Sequence, residues 1–82
     1  MQAVKVVFPD HLTPNTGGVR EVDVECRNYR GLVRALEERW PGIEEVLTKT
    51  AVAINGQIYQ DAWLEPIAPG SEVFFMERIE GG

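Results

Sequence analysis

Asn28-Tyr29-Arg30-Gly31-Leu32-Val33-Arg34-Ala35-Leu36-Glu37-Glu38-Arg39-Trp40-Pro41-Gly42 is the stretch on which the fold turns. Tyr29, Leu32, Val33, Leu36 and Trp40 fall on one helical stripe at spacings of three and four. Arg30, Arg34, Glu37 and Glu38 lie off that stripe, facing water. Asn28 offers a side-chain oxygen to the free amides of a first turn, which predicts an N-cap. Pro41 disfavours helical geometry at Trp40 and ends the helix, and Gly42 lets the chain turn away. Ile43, Val46 and Leu47 predict one or two further helical turns. A helix with a single apolar face needs another layer to cover it.

The flanking segments supply a sheet. Upstream, Val4 to Phe8 is β-branched and aromatic, bounded by Pro9, and reads as a strand. Residues 9–18 are dense in Pro, Asp, Asn, Thr and Gly and read as a loop, with Gly17-Gly18 as a hairpin turn. From Val19 to Cys26 the chain alternates. Val22, Val24 and Cys26 share one face and Glu21, Asp23 and Glu25 the other, which predicts an edge strand with a solvated acidic side. Downstream, Ala51 to Ile54 and Gln57 to Tyr59 flank Asn55-Gly56, a strong two-residue hairpin signal. Asp61 to Ile67 reads as a connection with a short helical turn around Leu64, and Pro69-Gly70 as a second turn. Glu72 to Met76 is the last strand. The order strand, strand, helix, strand, strand, strand defines an α+β domain with its helix on one sheet face.

The first and last strands are apolar on both faces, as strands at a sheet centre are. Val73 and Phe75 point one way, Phe74 and Met76 the other. The helix covers only one face, so some of these side chains, with Val4 or Val7, form an apolar patch on the other. Such a patch marks a partner surface. Phe75 is the expected docking residue.

The chain of 82 residues allows one small domain with a thin core. We divide it into a domain over residues 1–76 and a tail over 77–82. The net charge of −5 argues against a phosphate-binding surface and against a polybasic membrane anchor. The apolar runs are too short to span a bilayer, and the N-terminal residues lack a signal-peptide pattern. Cys26, the one cysteine, excludes a site built on several thiolates and fits a reducing, cytoplasmic setting. Cys26 on an inward strand face and His11 in a loop give no nucleophile–base pair, and no metal site is expected. Trp40 and Trp63 read as core or lid aromatics. The remaining candidate is the end of the sequence. Gly81 and Gly82 carry no Cβ, so such a tail can enter a narrow channel and present an unhindered carboxylate. Six residues beyond Met76 reach at most ~20 Å.

Taken in order, Ala53-Ile54-Asn55-Gly56, Trp40-Pro41-Gly42, Pro69-Gly70-Ser71-Glu72-Val73 and Gly81-Gly82 resemble the MoaD/ThiS family of sulfur carriers. These are β-grasp domains of the ubiquitin type, with a mixed sheet of four to five strands and one main helix. Thr16-Gly17-Gly18 after the first strand, and Ile43-Glu44-Glu45-Val46-Leu47, are similar to the carriers of the CysO type, which feed sulfur into cysteine synthesis. The chain departs from these relatives between Leu47 and Ala51, where it is shorter, and at Glu80, where they carry an apolar residue.

The resemblance implies a protein cosubstrate, not an enzyme. An E1-like adenylyltransferase/sulfurtransferase activates the carboxylate of Gly82 with ATP, and a sulfur donor converts it to a thiocarboxylate. A downstream enzyme takes the sulfur, and a metallopeptidase acting at the tail is a further implied partner. ATP and the sulfur donor belong to the activating partner, and no bound cofactor is expected. Gly81 gives access, and Arg78, Ile79 and Glu80 guide the tail. Two other roles share this chemistry: the small subunit of molybdopterin synthase, and a protein modifier joined to lysines through Gly82. A β-grasp interaction module with an incidental tail is the remaining alternative.

Overall fold

The structure is a computed structural model of the chain, and describes residues 3–77. Five strands form one sheet: β1 (Val4–Val7), β2 (Glu21–Val24), β3 (Thr50–Ile54), β4 (Gln57–Tyr59) and β5 (Glu72–Glu77). Two helices, α1 (Tyr29–Arg39) and α2 (Ile43–Leu47), lie between β2 and β3. The strand order is β2-β1-β5-β3-β4. β1 and β5 pair in parallel, and the other three pairings are antiparallel. The apolar first and last strands are thus interior, and acidic β2 is an edge, as the sequence predicts.

Each α1 signal is realised. Asn28 accepts from the Gly31 amide at 2.7 Å, and Tyr29, Leu32, Val33 and Leu36 are buried. They pack against the inward residues of the sheet, among them Val4, Val6, Val52, Val73 and Phe75. Trp40 is half-buried at the helix end, and its ring meets Phe8 edge-on at 5.6 Å. Glu37 departs from expectation. Its carboxylate does not simply face water but spans the Pro41-Gly42 break. One oxygen accepts from the Gly42 amide at 2.7 Å and the other from the Glu44 amide at 2.9 Å. The carboxylate of one helix therefore caps the next. These two bonds hold the Glu37 carboxyl below its ordinary range.

Two loop expectations are corrected. Residues 10–15 form a 3-10 helix, anchored by fully buried Leu12. Local bonds shape it: Thr13 Oγ1 donates to the Asp10 carbonyl at 2.8 Å, and Thr16 Oγ1 to the Val19 carbonyl at 2.7 Å. The segment around Leu64 is a turn closed by the Glu65 amide on the Ala62 carbonyl at 2.8 Å, not a helical turn. Strand-like bonds tie this segment to the entrance of α1 instead. The Tyr29 amide donates to the Glu65 carbonyl, and the Ile67 amide to the Arg27 carbonyl, each at 2.9 Å.

Asn55 and Gly56 have φ of 50° and 86°, the two left-handed positions that the β3–β4 hairpin needs. Asn55 also reaches across to the start of β5. Its Nδ2 donates to Ser71 Oγ and its Oδ1 accepts from the Glu72 amide, both at 3.0 Å. The Asn55 amide donates to the Glu72 carbonyl at 2.9 Å, and the Ser71 carbonyl accepts from the Lys5 amide at 2.9 Å. One residue thus fixes a turn and pins the entry of the central strand.

Two substitutions separate those contributions. Asn55→Gly keeps the positive φ and removes the side-chain bonds, at an expected cost of about 1–2 kcal/mol. Asn55→Ala loses both and costs about 1 kcal/mol more. Urea unfolding of the two variants checks the order. A pH prediction follows from Glu37, whose folded pKa lies below its unfolded one. Its contribution is fully present above the unfolded value and is lost as pH falls through the folded one. Glu37→Gln is therefore less stable than the parent at neutral pH. The gap closes in acid, as unfolding curves at a series of pH values will show.

Candidate partner-docking face

Strand parity decides which side chains the sheet leaves uncovered. Val4 and Val6 of β1, Val52 and Ile54 of β3, and Val73 and Phe75 of β5 point toward α1 and are buried. Their neighbours point to the open face. The ladder sets Val7 beside Phe74, Phe74 beside Ala53, and Ala53 beside Ile58. Met76 lies beside Ala51 on the same face. The result is a continuous apolar row across β1, β5, β3 and β4. Phe74 is 41% exposed and Ile58 60% exposed, and the two alanines between the larger side chains are buried. The expected patch on the uncovered face is present.

Its expected anchor is corrected. Phe75 is only 3% exposed and belongs to the core. Its ring stacks on Phe8 at 5.9 Å with planes 6° apart, and meets Tyr29 at 6.2 Å. Phe74 and Ile58 occupy the open face in its place. The missed signal was Glu72. It shares parity with Phe74 and Met76, and an unpaired carboxylate is not buried under a helix. Lys5 sets the parity of β1 in the same way. It puts Val7 outward and Val4 inward.

The fringe of the row is charged. Lys5 lies beside Asp23 and Glu72 in the ladder and pairs with Glu21 at 3.5 Å. Glu21, Asp23 and Glu72 thus set three carboxylates against one ammonium at this end of the face. Arg20 and Asp10 form a second ion pair beside the 3-10 helix.

The other candidates find their places. Cys26 is half-buried and packs against the core, and burial pushes its thiol up from the ordinary value. A thiol so placed stays protonated. His11 is exposed on the 3-10 helix. Asp61, ahead of the turn at Trp63 and Leu64, accepts from the Trp63 amide at 3.2 Å. Arg78, Ile79, Glu80, Gly81 and Gly82, the predicted guiding and reactive residues, lie outside the described residues. Among the described residues, no helix is long and apolar enough to cross a membrane, and no group of three or more His, Cys, Asp or Glu is placed to hold a metal ion.

A mixed sheet with parallel first and last strands, an antiparallel hairpin on each side and a helix across one face is the β-grasp, and that is the fold of this chain. Solved structures share it over nearly the whole length. CysO in the BexX/CysO complex of Amycolatopsis orientalis is matched at TM-score 0.85 and 22% identity, over 98% of this chain and 100% of that one. CysO of Mycobacterium tuberculosis is matched at 0.83 and 23%, over 93% and 99%. Small archaeal modifier protein 1 of Methanosarcina acetivorans is matched at 0.80 and 16%, over 100% and 98%. No family model and no curated protein matches the sequence.

The corrected parity makes a direct prediction. Phe75→Ala empties a core position and costs about 3–5 kcal/mol. Phe74→Ala changes stability by about 1 kcal/mol or less. Thermal and urea unfolding of the two neighbours measure the contrast.

Proposed function

We propose that the chain is a sulfur carrier, a protein cosubstrate that docks through the open sheet face and reacts at Gly82. The observation that carries this reading is the fold shared with two CysO proteins, combined with a Gly81-Gly82 pair in the sequence after the central strand. One of those CysO proteins stands in a complex with another protein. That supports a carrier whose partners are proteins.

The chemistry needs few groups from the chain itself. The Gly82 carboxylate attacks the α-phosphorus of ATP on an activating enzyme, forming an acyl adenylate and releasing pyrophosphate. Hydrosulfide, or a sulfur donor equivalent to it, adds to the acyl carbon and AMP departs. The product is a thiocarboxylate, whose sulfur passes to an acceptor on a downstream enzyme. Gly81 and Gly82 lack a Cβ that would obstruct a narrow channel. The domain is the handle: Phe74, Ile58 and Val7 supply apolar contact, and the acidic fringe steers a basic partner rim. We assign this exchange to the cytoplasm, where ATP is available.

A second reading is favoured by the likeness to small archaeal modifier protein 1. A modifier uses the same adenylate, and a target lysine amine takes the place of sulfur. The full chain with its cognate E1-like enzyme, ATP and sulfide tests the choice by intact mass. A sulfur-for-oxygen increase, absent from the Gly82-deleted variant, is the expected outcome. Lysine-linked conjugates without that increase favour the modifier. Neither product, or full pathway activity without Gly82, overturns both.

A further inference from the structure

On the helix side of the sheet, α1, α2, β3 and residues 60–63 line an open groove of about 420 Å³, within the range of small-ligand sites. Its floor is apolar: Val33, Leu47, Val52 and Ala62 are all buried there. Tyr29 and Trp63 form an aromatic wall, with ring centroids 6.5 Å apart and planes at 73°. Trp63 is 40% exposed, so part of that wall is open to solvent. Glu44 and Asp61 bring two carboxylates to the lining. No lysine or arginine stands among the described residues that line it. The negative charge reaches inward. The Tyr29 phenol is pushed up to about 12, first by burial and then by the nearby charge of Asp61.

An apolar floor, an aromatic wall and an anionic rim together complement an aliphatic stem that ends in a cation. Arginine fits better than lysine. Its guanidinium is planar, stacks on aromatic rings and is weakly hydrated, and its stem buries readily. We propose that this groove receives an arginine side chain of a partner protein, with the stem on Val33, Leu47 and Ala62 and the guanidinium between Trp63 and the Glu44 and Asp61 carboxylates.

This interaction surface goes beyond the carrier reading and needs no chemistry at Gly82. Val52, in the groove floor, points to the helix side of β3, whereas its neighbour Ala53 points to the open face. The two surfaces therefore lie on opposite sides of the sheet, and occupying one does not block the other. The two surfaces also select different partners. The open face presents flat apolar area, and the groove accepts a single side chain.

Hexylguanidine carries the guanidinium of arginine on a longer alkyl stem, hexylurea is its neutral isostere, and hexanoate reverses the charge. Each is titrated into the full-length protein and followed by amide and indole chemical shifts. Hexylguanidine is expected to shift Tyr29, Leu47, Ala62 and the Trp63 indole, with hexylurea weaker by about tenfold and hexanoate without effect. The doubly substituted Glu44→Gln, Asp61→Asn protein keeps the Asp61-type acceptor for the Trp63 amide and is expected to lose the preference for the cation. Equal responses to hexylguanidine and hexylurea, no response, or shifts clustered on the open face around Phe74 would each overturn the proposal. The comparison of probes on the unaltered chain decides the matter even where the double variant fails to fold.

Discussion

The parallel pairing of β1 with β5 is the constraint from which the rest of the molecule follows. A parallel pair needs a crossover, and the connection from β1 to β5 carries the 3-10 helix, β2, α1, α2, β3 and β4. It places α1 on one face of the sheet and leaves the other bare. It also makes β5 the central strand, with β1 and β3 on either side. Phe75 then stands in the middle of the core. Around it the aromatic rings form a line, from Trp40 through Phe8 and Phe75 to Tyr29 and Trp63. The line runs from the end of α1 to the groove wall. Packing at the centre and shape at the rim are therefore parts of one contact chain.

Register turns this topology into a surface. A slip of one residue in β5 would exchange Phe74 for Phe75 and bury Glu72 under the helix. The bonds from Asn55 to Ser71 and Glu72 oppose that slip at the strand entry. Pro69-Gly70 adds to the constraint. Gly70 has φ of 81° and the Ser71 amide donates to the Ala68 carbonyl at 3.2 Å, so the turn delivers Ser71 to a set position. The apolar row on the open face owes its continuity to these polar contacts at its end. Hydrophobic patterning alone would not hold it, because β5 is apolar on both sides.

That same ambiguity explains what the sequence left unread. The helix stripe, the Asn28 cap, the Asn55-Gly56 hairpin and the acidic edge were legible, because each is encoded within a few neighbouring residues. The fold followed from their order. The parity of β5 needs information from Glu72, a residue easily passed over among four apolar neighbours. The roles of Glu37 and Asn55 join elements across turns, so no local pattern announces them. The groove is further still from the sequence. Its lining comes from α1, α2, β3 and the segment after β4, and only the packed chain brings Tyr29, Glu44 and Trp63 together.

Charge gives the two surfaces a common character. Glu21, Asp23 and Glu72 outweigh Lys5 at the fringe of the open face, and Glu44 and Asp61 line the groove. Neither set neutralises itself, and the chain as a whole carries −5. A basic partner of either proposed surface is therefore steered over about a Debye length, and salt weakens that steering. Retention is a separate matter. It rests on apolar area at Phe74 and Ile58 and on the shape of the groove beside Trp63, which salt screens little. In the proposed scheme a small domain with a thin core divides its labour: long-range attraction comes from carboxylates spread over the fringe and rim, and selectivity from two apolar sites that different partner shapes can fill.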